Sequence, residues 1–267
     1  MQNKVVVITG ASSGIGKALA EKYASEGWNL ALAARRIVQL QEIEKQFPQV
    51  EVLSVKTDVT IESDCKNLID KTLEKFGRID VLINNAGISM RAVLENLDLE
   101  VIRKVMEVNF WGTVYCTKYA LPWLLNSKGS LVGVISVGGY VGLPGRSGYS
   151  ASKFAMRGFL DSIRVENRRS GLHVLIAAPG FTTSEIRKHA LVADGSQQGE
   201  TPRDENKMMS AEECARHIYR AVKSRQRKVI LTFIQGKVTV FVAKLWADLI
   251  DGFIYRTFAK EPDSPLK

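Results

Sequence analysis

Apolar residues in this chain come in short unbroken runs, separated by segments in which they recur every three or four positions. Lys4–Thr9 is a β-branched run with no polar alternation, the pattern of a strand covered on both faces of a parallel sheet. The same signature returns at Trp28–Ala34, Val50–Lys56, Ile79–Asn84, Leu131–Ser136, Leu172–Ala178 and, more briefly, Lys228–Thr232. Between these runs the period is helical. Lys17–Glu26 is closed by Gly27, Ile37–Phe47 by Pro48, Ile61–Phe76 by Gly77 and Tyr149–Arg169 by Gly171, and Pro122 kinks or closes the end of a long helix over Leu99–Leu125. Ser210-Ala211-Glu212-Glu213 is a capping box that starts a further helix. Strict alternation of strand and helix requires right-handed crossovers. It predicts one α/β domain over residues 1–267, with a doubly wound parallel sheet of about seven strands and helices on both faces.

Two segments break this rhythm. Residues 181–209 are polar, glycine-containing and aperiodic, and a loop of that length in a compact domain is expected to be a functional element, here a substrate lid. Residues 236–258 predict a strongly amphipathic helix. Val238, Phe241, Val242, Leu245, Trp246, Leu249, Ile250, Phe253 and Ile254 form its stripe, and Lys237, Lys244, Asp248 and Asp251 fall elsewhere. Asp248 and Asp251 argue against a membrane surface, so the stripe is expected to pack on a second subunit or cap the active site.

Composition adds little to the fold and more to the partners. With 267 residues, 45% of them hydrophobic, the chain can bury one substantial core. A net charge of +9 suits an anionic cofactor, an anionic surface or solubility alone, and no nucleic-acid motif accompanies it. Cys65, Cys116 and Cys214 are widely spaced and form no CxxC, which points to reduced thiols in the cytoplasm. His173, His189 and His217 are too scattered for a metal site, and none is expected. The run Val5–Ile8 is too short for a signal h-region and reads as a strand, and no stretch has the apolar length of a membrane span.

The turn between the first strand and first helix reads Thr9-Gly10-Ala11-Ser12-Ser13-Gly14-Ile15-Gly16. Small residues there let backbone pass close to a pyrophosphate, and the N–H groups at a helix start offer it a positive end. Its GxxxGxG spacing, with Asn84-Asn85-Ala86-Gly87 ending strand four and Tyr149-Ser150-Ala151-Ser152-Lys153 opening a later helix, resembles the short-chain dehydrogenase/reductase family. Asn109, Ser136 and Pro179-Gly180 stand where that family places them, and the resemblance covers about residues 4–185. Tyr149–Glu166 is also similar to the hydroxysteroid-dehydrogenase-like branch. The resemblance implies a Rossmann-type domain, a nicotinamide cofactor and hydride transfer to or from a carbonyl or alcohol carbon.

It also implies roles. Gly10, Ser12, Ser13, Gly14, Ile15 and Gly16 would cradle the pyrophosphate, Asp58 with Val59 would meet the adenine, and Asn85, Ala86 and Gly87 would border the cofactor. Asp58 reads equally well as a helix cap. The second strand ends in Ala33-Ala34-Arg35-Arg36, with no carboxylate for a ribose 2′-hydroxyl. Arg35 is therefore expected to receive a 2′-phosphate, with Arg36 on the adenine side, and NADP is expected over NAD. Pro179 and Gly180 would flank the nicotinamide. Ser184 would bond its carboxamide, a role that Thr182 or Thr183 could fill instead.

Tyr149 and Lys153 lie one turn apart on one helix face. A phenol titrates near pH 10, and a neighbouring ammonium would bring it down, so that Tyr149 exchanges a proton with the substrate oxygen. Ser136 would steady that oxygen as charge develops. By resemblance, Lys153 also holds the nicotinamide ribose and Asn109 anchors a water relay to it, although Asn109 could equally satisfy a buried backbone group. The expected substrate is a small carbonyl or alcohol compound, lipophilic ones included, and the expected assembly is a homodimer or homotetramer. The rival class is a non-catalytic NADP-binding sensor or membrane-surface scaffold. Loss of Tyr149 or Lys153 would have favoured it, and both are present.

Overall fold

All seven apolar runs become strands of one parallel sheet: β1 (Val5–Thr9), β2 (Asn29–Ala34), β3 (Val52–Lys56), β4 (Val81–Asn84), β5 (Ser130–Val134), β6 (His173–Ala178) and β7 (Lys228–Ile230). Their order is β3-β2-β1-β4-β5-β6-β7. The chain winds outward from β1 to β3, then crosses back to place β4 on the other side of β1. That reversal opens a crevice at the carboxyl ends of β1 and β4, the usual place for a ligand in such sheets. The computed structural model describes residues 3–202, 204–205 and 208–266. Residues 203, 206 and 207 of the expected lid, and the side chain of Leu249 in the expected stripe, lie outside the described residues.

Side chains alternate along a strand, so β1 sends Val6 and Ile8 to one face and Val5 and Val7 to the other. The first face is covered by α1 (Gly14–Ser25), α2 (Ile37–Gln46) and α7 (Ala211–Lys223), through Leu19, Tyr23, Leu40, Ile43 and Ile218. The second is covered by α3 (Glu62–Phe76), α5 (Gly112–Asn126) and α6 (Ser147–Glu166), through Leu68, Ile69, Leu124, Met156 and Leu160. The expected signals act locally as read. Gly77 adopts φ +68° beyond α3, and the Ser210 hydroxyl accepts the Glu213 N–H at 3.1 Å to cap α7.

Two expectations are revised. The long helix is α4 (Leu99–Met106), a π-helical turn over Glu107–Trp111, and then α5, and Pro122 lies inside α5 instead of closing it. Burial of Leu124 in the turn that follows holds the helix past the missing N–H. The C-terminal stripe does not form one helix. A π-helical turn (Phe233–Val238) leads into α8 (Thr239–Leu245), Trp246 is extended at φ −141° and ψ 72°, and α9 (Ala247–Ala259) starts in a new direction. The break sets Ile250, Ile254 and Phe258 against Val137 and Val141, while Phe241, Leu245 and Trp246 stay exposed on the single chain. Residues 181–209 are irregular but tied down. The Leu191 N–H donates to the Ser89 carbonyl at 2.9 Å, and the Arg91 N–H donates to the Leu191 carbonyl at 2.8 Å. Among the described residues, no helix is long and apolar enough to cross a membrane.

Candidate active site

The turn after β1 is shaped by contacts that admit no side chain. Gly10 has φ +66°, and a Cβ there would stand 2.8 Å from the Ala86 Cα. At Gly16 a Cβ would stand 2.1 Å from the Gly10 carbonyl oxygen. Ser13 takes the N-cap position of α1 without capping it through its side chain, so the amides of the helix's first turn are left without a side-chain acceptor, beside the crevice that Gly14 and Ile15 line. The turn is braced from β4. Asn85 donates through Nδ2 to the carbonyls of Thr9 (3.0 Å) and Gly10 (3.3 Å), and the N–H groups of Asn85 and Ala86 both reach the Thr9 hydroxyl at 3.1 Å. Asn85 therefore serves the turn as well as bordering the crevice.

At the end of β2, Arg35 is exposed at the rim and Arg36 folds back over the glycine turn. Arg36 Nη2 donates to Ser12 Oγ at 3.1 Å and to Ser13 Oγ at 2.9 Å, and its Nη1 lies 3.7 Å from Glu185. Its guanidinium thus finds hydroxyl acceptors and a carboxylate along the glycine turn. Asp58 caps the turn into α3. Its Oδ1 accepts from the Thr60 N–H at 3.0 Å and the Thr60 hydroxyl at 2.8 Å, while Asp58 and Val59 also line the crevice wall.

Ser136, Tyr149 and Lys153 converge beyond β5. Ser136 accepts the Gly138 N–H at 3.1 Å and shares a hydrogen bond with the half-buried Tyr149 hydroxyl. Burial raises the Tyr149 phenol above its usual range, opposed by that hydrogen bond and by the nearby charge of Arg146. Lys153 is 3% exposed; its Nζ donates to the Val134 carbonyl at 3.0 Å and sits 3.5 Å from Met156 Sδ. Burial alone pulls its pKa down to about 7. The lysine is itself stripped of water, and its Nζ, 5.8 Å from the Tyr149 ring centroid, is directed to a backbone oxygen.

Asn109 lies fully buried in the π-helical turn and does not reach the cavity. Its Oδ1 accepts the Ile88 N–H at 2.8 Å, and its Nδ2 donates to the Ile88 carbonyl at 3.0 Å and to Ser152 Oγ at 2.9 Å. It clamps the end of β4 against α6. Pro179, Gly180, Thr182 and Ser184 also line the crevice, Ser184 close against Gly14 of the glycine turn, and Arg187 Nη1 donates to the Thr182 carbonyl at 2.9 Å.

Asn109 apart, these residues line a cavity of about 1330 Å³. A single small-ligand site occupies roughly 300–1,000 Å³, so there is room for a dinucleotide and a second molecule side by side. Its far end is apolar and is built by Val141, Leu143 and Phe181 together with Ile254 and Phe258 from α9. Sequence reasoning missed Phe258 and gave Ile254 no address, because the amphipathic period announces a buried face without naming what buries it.

The arrangement matches the family model described as short chain dehydrogenase over residues 4–193. The chain is a member of the short-chain dehydrogenase family. This short-chain dehydrogenase is 35% identical to a Dictyostelium discoideum "Dehydrogenase/reductase SDR family protein 7-like", across 97% of its own length and 82% of that protein. It is 43% identical to a Sesamum indicum "11-beta-hydroxysteroid dehydrogenase A", but over 68% of itself and about half (53%) of that relative. Among solved structures it is similar to an alcohol dehydrogenase from the archaeon Thermococcus sibiricus complexed with 5-hydroxy-NADP (TM-score 0.75, 28% identity, 85% of this chain and 95% of that one). A short-chain dehydrogenase/reductase from Burkholderia phymatum in complex with NAD is as near (TM-score 0.76, 25% identity, 85% and 88%). The short-chain dehydrogenase thus belongs to a family of nicotinamide-dependent oxidoreductases with a Rossmann-type fold.

Proposed function

We propose that this protein is an NADP(H)-dependent oxidoreductase that interconverts a carbonyl and a secondary alcohol on a lipophilic substrate. The observation that carries this reading is the joined pair of hydroxyls, Ser136 and Tyr149, between an anion-binding glycine turn and an apolar chamber in one cavity. The cradle fits a dinucleotide, because Gly10 and Gly16, where a Cβ would strike the backbone of Ala86 and of Gly10, let the turn fold tightly while Gly10, Ser12, Ser13, Gly14 and Ile15 line the cavity. Gly10 to Gly16 would hold the pyrophosphate, Asp58 and Val59 the adenine, and Ala86, Gly87, Pro179, Gly180, Thr182 and Ser184 the nicotinamide half, with Lys153 on its ribose. Arg35 on the cavity wall, and Arg36 beside the Ser12 and Ser13 hydroxyls, supply the planar cations that suit a 2′-phosphate.

When bound, NADPH supplies the hydride. Ser136 orients the substrate oxygen and Tyr149 gives it a proton, or takes one back in oxidation. A phenol held above its usual pKa keeps its proton, which suits reduction. Residues 181–209 act as the lid, and α9 forms the facing wall. Trp111, Trp123, Phe154 and Val165, exposed on α5, α6 and the turn before α5, offer a face for a homodimer or homotetramer. Three free, buried cysteines fit a reducing cytoplasm.

The test is NADPH oxidation measured across a panel of aliphatic and cyclic ketones. Tyr149→Phe should lower turnover at least about a hundredfold, the usual worth of a general acid, with NADPH affinity kept. Tight NADPH binding without turnover of any ketone would favour the sensor or scaffold instead.

A further inference from the structure

Beyond α9 the chain doubles back, and Glu261 in that tail is only 4% exposed. Its Oε2 accepts from Arg146 Nη2 at 3.0 Å, and Arg91 Nε lies 3.5 Å from the same oxygen. Arg91 Nη2 also donates to the Pro262 carbonyl. Both guanidinium groups are largely buried, at 8% and 12% exposure for Arg91 and Arg146. Neither is placed at random. Arg91 belongs to the loop after β4, whose N–H at this residue ties down Leu191 of the lid, and Arg146 stands at the entrance of α6, the helix that carries Tyr149. The two loops touch directly, the Ala92 N–H donating to the Gly145 carbonyl at 2.9 Å.

The same cluster fixes the apolar wall. The Arg146 guanidinium sits 4.6 Å from the Phe258 ring centroid, and Ser264 Oγ donates to the Phe258 carbonyl at 2.9 Å. We propose that Glu261 is a positioning residue that latches the C-terminal tail onto the substrate chamber and so sets the size of substrate the chamber accepts, a proposal that rests on the carbonyl-reductase reading above. Without its carboxylate, two largely buried cations face one another with only the nearby charge of Asp263 to offset Arg91, and such a broken pair forces its surroundings apart. The tail then no longer holds Phe258 and Ile254 over Val137 and Val141. A large apolar substrate loses those contacts, whereas a small one that meets only Ser136 and Tyr149 does not.

The experiment compares wild type, Glu261→Ala and Glu261→Gln as full chains with NADPH, using cyclohexanone and a fused polycyclic ketone as probes. Glu261→Ala should raise KM for the polycyclic ketone about tenfold and leave kcat for cyclohexanone and the Kd of NADPH within about twofold. Glu261→Gln keeps an oxygen acceptor for Arg146 and should fall between the two. Equal KM changes for both ketones, or a parallel loss of NADPH binding, would overturn the latch. Should Glu261→Ala not fold, Glu261→Gln is judged by the same criteria. Should wild type reduce neither ketone, the functional reading is what has failed. Hydrogen exchange at residues 88–97 and 143–149 then decides the latch alone: faster exchange in Glu261→Gln supports it, and unchanged exchange overturns it.

Discussion

Replacing Lys153 by methionine removes a cation from a place where, among the described residues, it forms no ion pair. Lys153 is 3% exposed, and burial lowers its pKa from 10.5 to about 7. The unfolded chain keeps the ordinary value, so between those two pH values it binds a proton that the folded protein does not. Stability contributed by this residue therefore rises with pH through that window, and the full penalty is present below its lower edge. The two pKa values give a penalty of about 4 kcal/mol at pH 7 and about 2 kcal/mol at pH 9. Methionine fills a similar volume but leaves the Val134 carbonyl without its donor, which costs about 1 kcal/mol. The variant should thus be more stable than wild type by about 3 kcal/mol at pH 7 and about 1 kcal/mol at pH 9, while losing activity. Urea unfolding of both proteins without dinucleotide, at the two pH values, measures this, and taking the difference cancels the titration of groups they share. A difference that does not change with pH, or a variant less stable at pH 7, would refute the reasoning.

Two further outcomes follow from the cavity walls. Arg35→Ala should weaken NADPH binding by roughly 1.5–3 kcal/mol and leave NADH nearly untouched; a wild type that binds both equally in calorimetric titration would remove the 2′-phosphate role. Ile254→Ala truncates a side chain that is 5% exposed in the α9 contact, and should cost about 2–3 kcal/mol in urea unfolding. An unchanged midpoint would mean that α9 is not held against Val137 and Val141.

What was legible in the sequence was what neighbouring residues decide among themselves. Seven unbroken apolar runs declared a sheet covered on both faces, and the helix stops at Gly27 and Gly77 lie just beyond helices, whereas α6 ends at Glu166, a full turn ahead of Gly171. The glycine turn was readable from its spacing, and part of its need is local: a Cβ at Gly16 would strike the Gly10 carbonyl, although at Gly10 the crowding comes from Ala86 in the distant loop after β4. Tyr149 and Lys153 were readable as a pair because one helical turn brings them to one face. The rest depended on partners far away in the chain. No breaker residue stands at Trp246, and the C-terminal helix divides there as α9 comes to lie on Val137 and Val141. Arg36 turned toward the glycine turn because Ser12, Ser13 and Glu185 offered it acceptors. Asn109 became a clamp because the π-helical turn aims it at Ile88. Lys153 was expected to act on Tyr149, but its depth in the fold first acts on Lys153 itself. Glu261, an ordinary tail residue in the sequence, acquires its environment only when two arginines, one in the loop after β4 and one at the entrance of α6, close around it. Hydrophobic period and turn chemistry are written in consecutive residues, whereas desolvation and charge pairing depend on which distant residues the fold brings together.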